Sequence, residues 1–212
     1  MRTLLQGLLA PEVSVPHPQS LEGFRAVFKR LPELEGPRLL LRAPRMQDAD
    51  DLYAYARDEE NCRYVLWDAH RSLSDSRWAL RGLIAGNRRG DPPTFAIVMK
   101  AEGRMAGTIG LQSIDLDNRS AEVGYSIARR LWNHGLATEA VRVLTRYAFE
   151  QLGLDRLEAK HDVLNPASGR VLEKAGFTAE GVSRGSLLLK GRRADMMRYA
   201  ILKEDWLKHK GG

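Results

Sequence analysis

Several features that would assign a chain to a particular class of protein are absent from this sequence. It contains a single cysteine, Cys62, so an internal disulfide framework is excluded and a reducing compartment is expected. No run approaches the roughly 20 consecutive apolar residues that a membrane-spanning helix needs. We therefore expect a cytoplasmic protein with no membrane partner.

The N-terminus, MRTLLQGLLAPEV, has little of what a signal peptide requires. A glutamine and a glycine interrupt its apolar stretch, and no clear small-residue cleavage site follows. Several prolines break up this part of the chain, and one short helix is predicted over residues 20–31. We interpret residues 1–36 as an N-terminal extension and residues 37–212 as a single domain.

Clustered charge is also missing. The chain has 33 Lys and Arg residues against 27 Asp and Glu residues, a formal net charge of +6. This balance suits an anionic ligand, but no basic run and no aromatic stacking platform favours nucleic acid. A direct nucleic-acid binder is therefore a minor hypothesis, which strongly salt-dependent binding would support.

Strand and helix patterns alternate along the chain and predict one mixed α/β domain. With 212 residues, of which 43% are hydrophobic, the chain can bury one core. Strands are predicted over residues 38–43, 94–100, 105–114, 120–128, 156–163, 178–184 and 193–202. Besides the N-terminal helix, helices are predicted over residues 47–57, 74–89 (capped by Ser74), 135–152 and 166–175.

The most informative stretch is AEVGYSIARRLWNHGLATEA, which begins at Ala121. A predicted strand leads there into Gly135-Leu136-Ala137-Thr138, where a helical pattern begins. The first N–H groups of a helix lack intrahelical partners, and the helix dipole adds partial positive charge. Gly135 lets the backbone approach a ligand closely. The pattern indicates an anion-binding turn, with an ordinary strand-to-helix turn as the alternative.

A second motif, NPASGRVLEKAGF, follows the predicted strand over residues 156–163. Asn165 is expected to cap a helix that has Pro166 in its first turn and Gly176 at its end. Together the two motifs resemble the GCN5-related N-acetyltransferase (GNAT) superfamily. The acyl-CoA loop of that family, Gln/Arg-x-x-Gly-x-Gly/Ala, falls on residues 132–137.

One branch of the superfamily, which acetylates the N-termini of ribosomal proteins, shows the strongest resemblance. Trp132, in place of Gln or Arg, is usual in that branch, whereas Asn133 replaces a glycine that is common there. The opening P-x-L-x-x-x-R-L-x-L-R and the late G-R-R-A-D also resemble that branch. The similarity covers roughly residues 32–207.

This resemblance implies an α/β (α+β) fold of the GNAT type. Its mixed, mostly antiparallel sheet of about six to seven strands is splayed at the acyl-CoA site and flanked by about four helices. Acetyl-CoA is implied as the co-substrate, without a metal, and its pantetheine arm enters the splay as an added strand would. The cofactor-binding residues implied are Tyr125, Ser126, Ile127, Asn133, His134, Gly135, Leu136, Ala137, Thr138, Asn165 and Ser168.

The reaction implied is direct attack of a primary amine on the acetyl-CoA thioester. Cys62 lies outside both motifs, so no covalent relay is predicted. Glu122, on the strand beside the thioester, is the candidate general base, acting through water. A backbone N–H near Tyr125 or Ser126 is the candidate oxyanion donor. Ser168 is the candidate for assisting protonation of the thiolate.

The acceptor is not specified by any motif. The branch resemblance suggests a protein N-terminal α-amine, and a small amine such as a polyamine, an amino sugar or a drug is the alternative. A non-catalytic acyl-CoA-binding module is a further hypothesis. The loops near residues 62–72 and 186–193, which would form the acceptor site, follow no specific pattern. A monomer and a homodimer both remain compatible with the sequence.

Overall fold

The computed structural model describes residues 17, 18 and 20–210. One sheet contains eight strands: β1 (Leu34–Glu35), β2 (Leu39–Arg42), β3 (Thr94–Met99), β4 (Met105–Asp115), β5 (Ser120–Ile127), β6 (Arg156–Asp162), β7 (Thr178–Leu189) and β8 (Arg192–Leu202). Across the sheet their order is β1-β2-β3-β4-β5-β6-β8-β7. The apolar N-terminal stretch interpreted as an extension lies outside the described residues.

Within the described part of the chain, seven α-helices accompany the sheet. They are α1 (Leu21–Phe28), α2 (Ala49–Ala56), α3 (Glu59–Cys62), α4 (Leu73–Arg89), α5 (Leu136–Glu150), α6 (Pro166–Ala175) and α7 (Lys203–Lys210). The predicted GNAT-type α/β fold is confirmed, with eight strands instead of six to seven and more helices than about four. The elements that the sequence pattern did not predict include β1, of two residues, and α3, of four residues. Such short segments carry no measurable periodicity.

Alternate side chains of the central strands pack on opposite faces of the sheet. On β3, Phe95 and Ile97 join the core formed with α1, α5 and α6. Ala96 and Val98 join a second core, formed with α2 and α4. This alternation is the two-residue period of a strand. Because each of the two cores includes helices, helices cover both faces of the sheet.

β5 and β6 run side by side in parallel and then separate. Their pairing covers three register positions, from Ser120↔Arg156 to Glu122↔Glu158. Beyond Glu122, β5 continues its pairing with β4, and β6 continues its pairing with β8. A gap therefore opens between the two strands, and the splay implied by the family resemblance is confirmed.

The start of α4 differs from the prediction. Its first residue is Leu73, so Ser72 is the N-cap, and the predicted cap at Ser74 is wrong. The Asp75 carboxylate accepts a hydrogen bond from Ser72 N at 2.9 Å, and Ser72 Oγ accepts one from Asp75 N. This capping box decides between the two serines, because only Ser72 has an acidic residue three positions later. The predicted end before Gly90 is confirmed, with Gly90 in the left-handed conformation.

The segment that precedes β2 packs onto the sheet. Ser20 caps α1 by accepting a hydrogen bond from Gly23 N, and Phe24 and Phe28 are buried in the larger core. β1 extends the sheet by antiparallel pairing with β2. The division of the chain at residue 36 into an extension and a domain stays a prediction.

Candidate active site

The turn after β5 presents backbone amides at the start of α5. Gly135 has a φ of 74° and occupies the N-cap position, followed by Leu136 as the first helical residue. The first hydrogen bond along the helix runs from Glu139 N to the Gly135 carbonyl, at 3.0 Å. The N–H groups of Leu136, Ala137 and Thr138 precede this bond, so they have no acceptor within the helix. Three adjacent donors at a helix N-terminus suit a pyrophosphate.

The residues before Gly135 are fixed by one hydrogen bond to the end of β5 and one within the turn. Trp132 Nε1 donates to the Ile127 carbonyl at 2.8 Å, and His134 Nδ1 lies 2.7 Å from the Trp132 carbonyl. Asn133, between them, has a φ of 63°. Glycine adopts this conformation without strain and asparagine tolerates it better than most residues. The backbone therefore explains how Asn133 can stand where the family branch often has glycine.

Arg38 supports this turn from the start of β2, a role that the sequence analysis missed. Its Nη1 donates to the His134 carbonyl at 2.9 Å, and its Nε donates to Glu139 Oε2 at 2.7 Å. The Arg38 backbone N–H also donates to Glu139 Oε1 at 2.7 Å. Arg38 is one of the arginines of the opening motif, but its partners lie about a hundred residues away in the sequence. Only the folded structure relates them.

Tyr125 and Ser168 connect the two sequence motifs across one face of the splay. Tyr125 OH lies 2.8 Å from Ser168 Oγ and donates to the Ser168 carbonyl at 3.1 Å. Burial raises the pKa of Tyr125 to about 12, so the phenol keeps its proton at neutral pH. The pair therefore places two hydroxyl groups where α6 meets β5.

Ser126 and Ile127 complete β5 and point to opposite faces. Ile127 is buried in the larger core. Ser126 lies on the other face, where its Oγ accepts a hydrogen bond from Asn61 Nδ2 at 3.4 Å. The predicted cofactor residues of β5 thus lie on both faces of the sheet, along the strand that borders the gap.

Asn165 does not act as the predicted side-chain cap of α6. It occupies the N-cap position, but with a φ of −115° and a ψ of 66° its side chain makes no capping hydrogen bond. N-cap side chains reach the first turn from a more extended backbone. The N–H of Ser168 donates instead to the Asn165 carbonyl, at 3.1 Å. The predicted cap is therefore wrong, and the assignment of the Asn165 side chain to pantetheine stays a prediction.

Glu122 stands at the last position where β5 and β6 are paired. Its Oε2 accepts a hydrogen bond from Lys160 Nζ at 2.8 Å, and the carboxylate is 20% exposed. Lys160 lies two residues beyond Glu158, the partner of Glu122, so the carboxylate leans toward the gap. Oε1 has no hydrogen-bond partner in the part of the chain that the structure describes. A held carboxylate with one oxygen available suits a general base that acts through water.

The two loops assigned to the acceptor site meet in the structure. Lys190, in the turn between β7 and β8, donates from Nζ to the Cys62 carbonyl at 2.8 Å and lies 3.5 Å from Asp68 Oδ1. A pocket of about 740 Å³ opens beside them. It is lined by Arg57, Glu59, Glu60, Cys62, Arg63, Asp68, Ala69, His70, Arg71 and Lys190.

Neither a metal cluster nor a membrane span is found among the described residues. Across residues 17–18 and 20–210, no three His, Cys, Asp or Glu side chains are grouped so that they could hold a metal ion. No helix in that part of the chain is long and apolar enough to span a bilayer.

Comparison with protein families decides the assignment. Residues 38–178, two thirds of the chain, match the family model described as an acetyltransferase (GNAT) domain. The chain belongs to the GNAT acetyltransferase family. It is therefore an acetyl-CoA-dependent N-acetyltransferase, and membership of this family favours the catalytic hypothesis over a non-catalytic binding module.

Individual relatives agree with this assignment. The uncharacterized N-acetyltransferase p20 of Bacillus licheniformis is 34% identical to this acetyltransferase over 80% of this chain and 95% of its own length. The [ribosomal protein uS5]-alanine N-acetyltransferase of Escherichia coli is 27% identical over 87% of this chain and 97% of its own. The microcin C7 self-immunity acetyltransferase MccE, solved with acetyl-CoA and AMP, superposes with a TM-score of 0.70 at 25% identity. That superposition covers 78% of this chain and 93% of MccE.

Proposed function

We propose that this acetyltransferase moves the acetyl group of acetyl-CoA directly onto the α-amine of a protein N-terminus. The observation that carries the proposal is the position of Glu122. It lies where β5 and β6 separate, on the strand that leads to the Gly135 turn, and one of its carboxylate oxygens is available. The base, the β5 side of the splay and the turn thus lie along one continuous stretch of chain.

The chemistry of direct transfer needs no enzyme nucleophile. The amine nitrogen bonds to the thioester carbon, the carbon–sulfur bond breaks, and the amine proton passes through water to Glu122. Cys62 is buried, and burial raises the pKa of its thiol to about 11. It is therefore protonated at neutral pH and unsuited to forming an acetyl-enzyme.

The leaving thiolate needs a proton, and we assign this role to Ser168. Its hydroxyl lies 2.8 Å from Tyr125 OH, which is protonated because burial raises its pKa. As Ser168 gives its proton to the thiolate, the serine oxygen takes the proton of the Tyr125 phenol, and water returns a proton to the phenol. Tyr125 thus acts through Ser168 and does not need to contact the thiolate itself.

Two arguments favour a protein N-terminus as the acceptor. The relative from Escherichia coli is named as an enzyme that acetylates a ribosomal protein alanine. An α-amine also has a reference pKa near 7.7–8.0, so a substantial fraction is neutral at physiological pH and needs only modest help from a base.

A small polar amine is the second candidate, and the pocket beside Lys190 favours it. A volume of about 740 Å³ falls in the usual range for small-molecule sites. Its lining, however, is charged rather than apolar. Arg57, Arg63, Arg71 and Lys190 supply positive charge, and Glu59, Glu60 and Asp68 supply negative charge.

An acceptor screen with purified protein and acetyl-CoA separates the two candidates. Peptides with a free N-terminus are compared with the same peptides blocked at the N-terminus but containing lysine, and with a polyamine and an amino sugar. We expect turnover of the unblocked peptides, with mass spectrometry placing the acetyl group on the α-nitrogen. Turnover confined to the polyamine or the amino sugar would refute the α-amine assignment.

A further inference from the structure

The short helix α3 lies across the open end of the splay. At its start, Asp58 Oδ2 pairs with Arg129 Nε at 2.6 Å, just beyond the end of β5. At its end, the Cys62 carbonyl accepts the hydrogen bond from Lys190 at the turn between β7 and β8. α3 therefore contacts both flanks of the region where β5 and β6 diverge.

Asn61 is the side chain of α3 that points into this region. It is only 6% exposed, and its Nδ2 donates to Ser126 Oγ at 3.4 Å. Its Oδ1 is buried and has no hydrogen-bond partner among the described residues. By contrast, the buried Asn87 uses both ends of its amide, donating to the Thr94 carbonyl and accepting from Thr94 N. Buried polar groups are normally paired, so the unpaired oxygen of Asn61 is available to accept a hydrogen bond from a bound molecule.

The free amide oxygen and the proposed base lie over the same face of β5. Ser126, Gly124 and Glu122 alternate along the strand, so their side-chain positions share one face. Glu122 and Ser126 are four positions apart, about 13 Å along the strand. Gly124, between them, has no side chain, and the Gln112 side chain of β4 lies over it, where a Cβ on Gly124 would meet Gln112 Nε2 at 2.7 Å. A group bound along this face, beside Gln112, has Glu122 at one end and Asn61 at the other.

We propose that Asn61 binds the acceptor, its Oδ1 accepting a hydrogen bond from an N–H of the amine that attacks the thioester. A carboxamide oxygen suits this task because it accepts hydrogen bonds yet has no proton to take up at neutral pH. It orients the amine while Glu122 receives the proton. The inference rests on the proposed direct transfer, and it applies to whichever amine the acceptor screen identifies.

Three variants test this role by steady-state kinetics. In Asn61→Ala the KM for the acceptor is expected to rise roughly 10- to 100-fold, as for the loss of a hydrogen bond to a charged group. The KM for acetyl-CoA should hardly change. Asn61→Asp keeps an oxygen at the same position and should retain most of the acceptor affinity. Asn87→Ala is the matched control, since it truncates another buried asparagine away from the splay and should lower only the melting temperature.

Two results would overturn the inference. An Asn61→Ala variant that folds and keeps its acceptor KM would show that the amide is purely structural. If Asn61→Asp loses kcat with an unchanged acceptor KM, the amide N–H serves the oxyanion instead of its oxygen serving the amine. Failure of the α-amine assignment is distinguishable from both results. It would change which acceptors the wild-type enzyme acetylates in the screen, whereas the two results above concern the KM and kcat of the Asn61 variants.

Discussion

Replacing Glu122 with glutamine is expected to lower the turnover number at neutral pH by about 10²–10⁴-fold, the usual span for general-base catalysis. Glutamine keeps the size of the side chain but cannot accept the proton of the attacking amine. For an α-amine the smaller end of that range is expected, because part of the acceptor is already neutral. Acetyl-CoA affinity should hardly change, since Glu122 is assigned to the amine.

The pH dependence of this loss identifies the role of the carboxylate. Above the reference pKa of an α-amine, near 7.7–8.0, neutral acceptor accumulates without help from the enzyme. The deficit of Glu122→Gln should therefore shrink as turnover is measured at increasing pH with one acceptor peptide. A deficit that stays constant to high pH would make Glu122 an orienting residue instead of a base.

Glu158→Gln is the matched control for this experiment. Glu158 is the register partner of Glu122 on β6, one strand away, and its carboxylate is bound by Arg156 and Arg198. Partly exposed ion pairs of this kind contribute about 0–1 kcal/mol, so both variants should fold. Only Glu122→Gln should lose turnover. Equal losses in the two variants would mean that general disturbance of the sheet causes the effect.

Replacing Gly135 with valine should weaken acetyl-CoA binding roughly 10²-fold or more, equivalent to about two lost hydrogen bonds to charged phosphate. Space does not prevent the substitution, because a Cβ at Gly135 would lie 3.6 Å from Arg38 Nη2. The obstacle is the φ of 74°, which a β-branched residue adopts only with strain. Relieving that strain moves the amides at the start of α5 away from their common direction.

Gly181→Val controls for the strain alone. Gly181 also has a positive φ, 123°, and a Cβ added there would meet no atom of the described residues within 4 Å beyond its chain neighbours. It lies in the edge strand β7. Isothermal titration with acetyl-CoA should show weakened binding for Gly135→Val and unchanged binding for Gly181→Val. If Gly135→Val binds as tightly as the wild type, the turn is not the pyrophosphate site.

The sequence patterns predicted most of the elements that are long enough to show a period. They did not predict α7, of eight residues, or the second half of β7. The meander of β3, β4 and β5 and the helix after Gly135 have clear hydrophobic repeats, and the structure confirms them. The splay was implied by the family resemblance, because periodicity does not reveal where two neighbouring strands separate. The four residues of α3 have no period that could have predicted a helix.

The site residues that sequence reasoning missed act through distant contacts. Arg38 supports the Gly135 turn from the beginning of the domain, and Asn61 reaches Ser126 from a short helix. Neither partner can be inferred from local sequence. The capping role of Asn165 failed for a different reason, since residue type predicts the N-cap position but not the backbone angles that direct the side chain.

We propose that acetyl-CoA binds between the diverging strands and against the turn at Gly135. Amide hydrogen exchange with and without saturating acetyl-CoA tests this placement most directly. Slower exchange is expected in residues 123–127 and 134–138, with no change in β3. Unchanged exchange in both segments, or protection confined to residues 57–71, would contradict it.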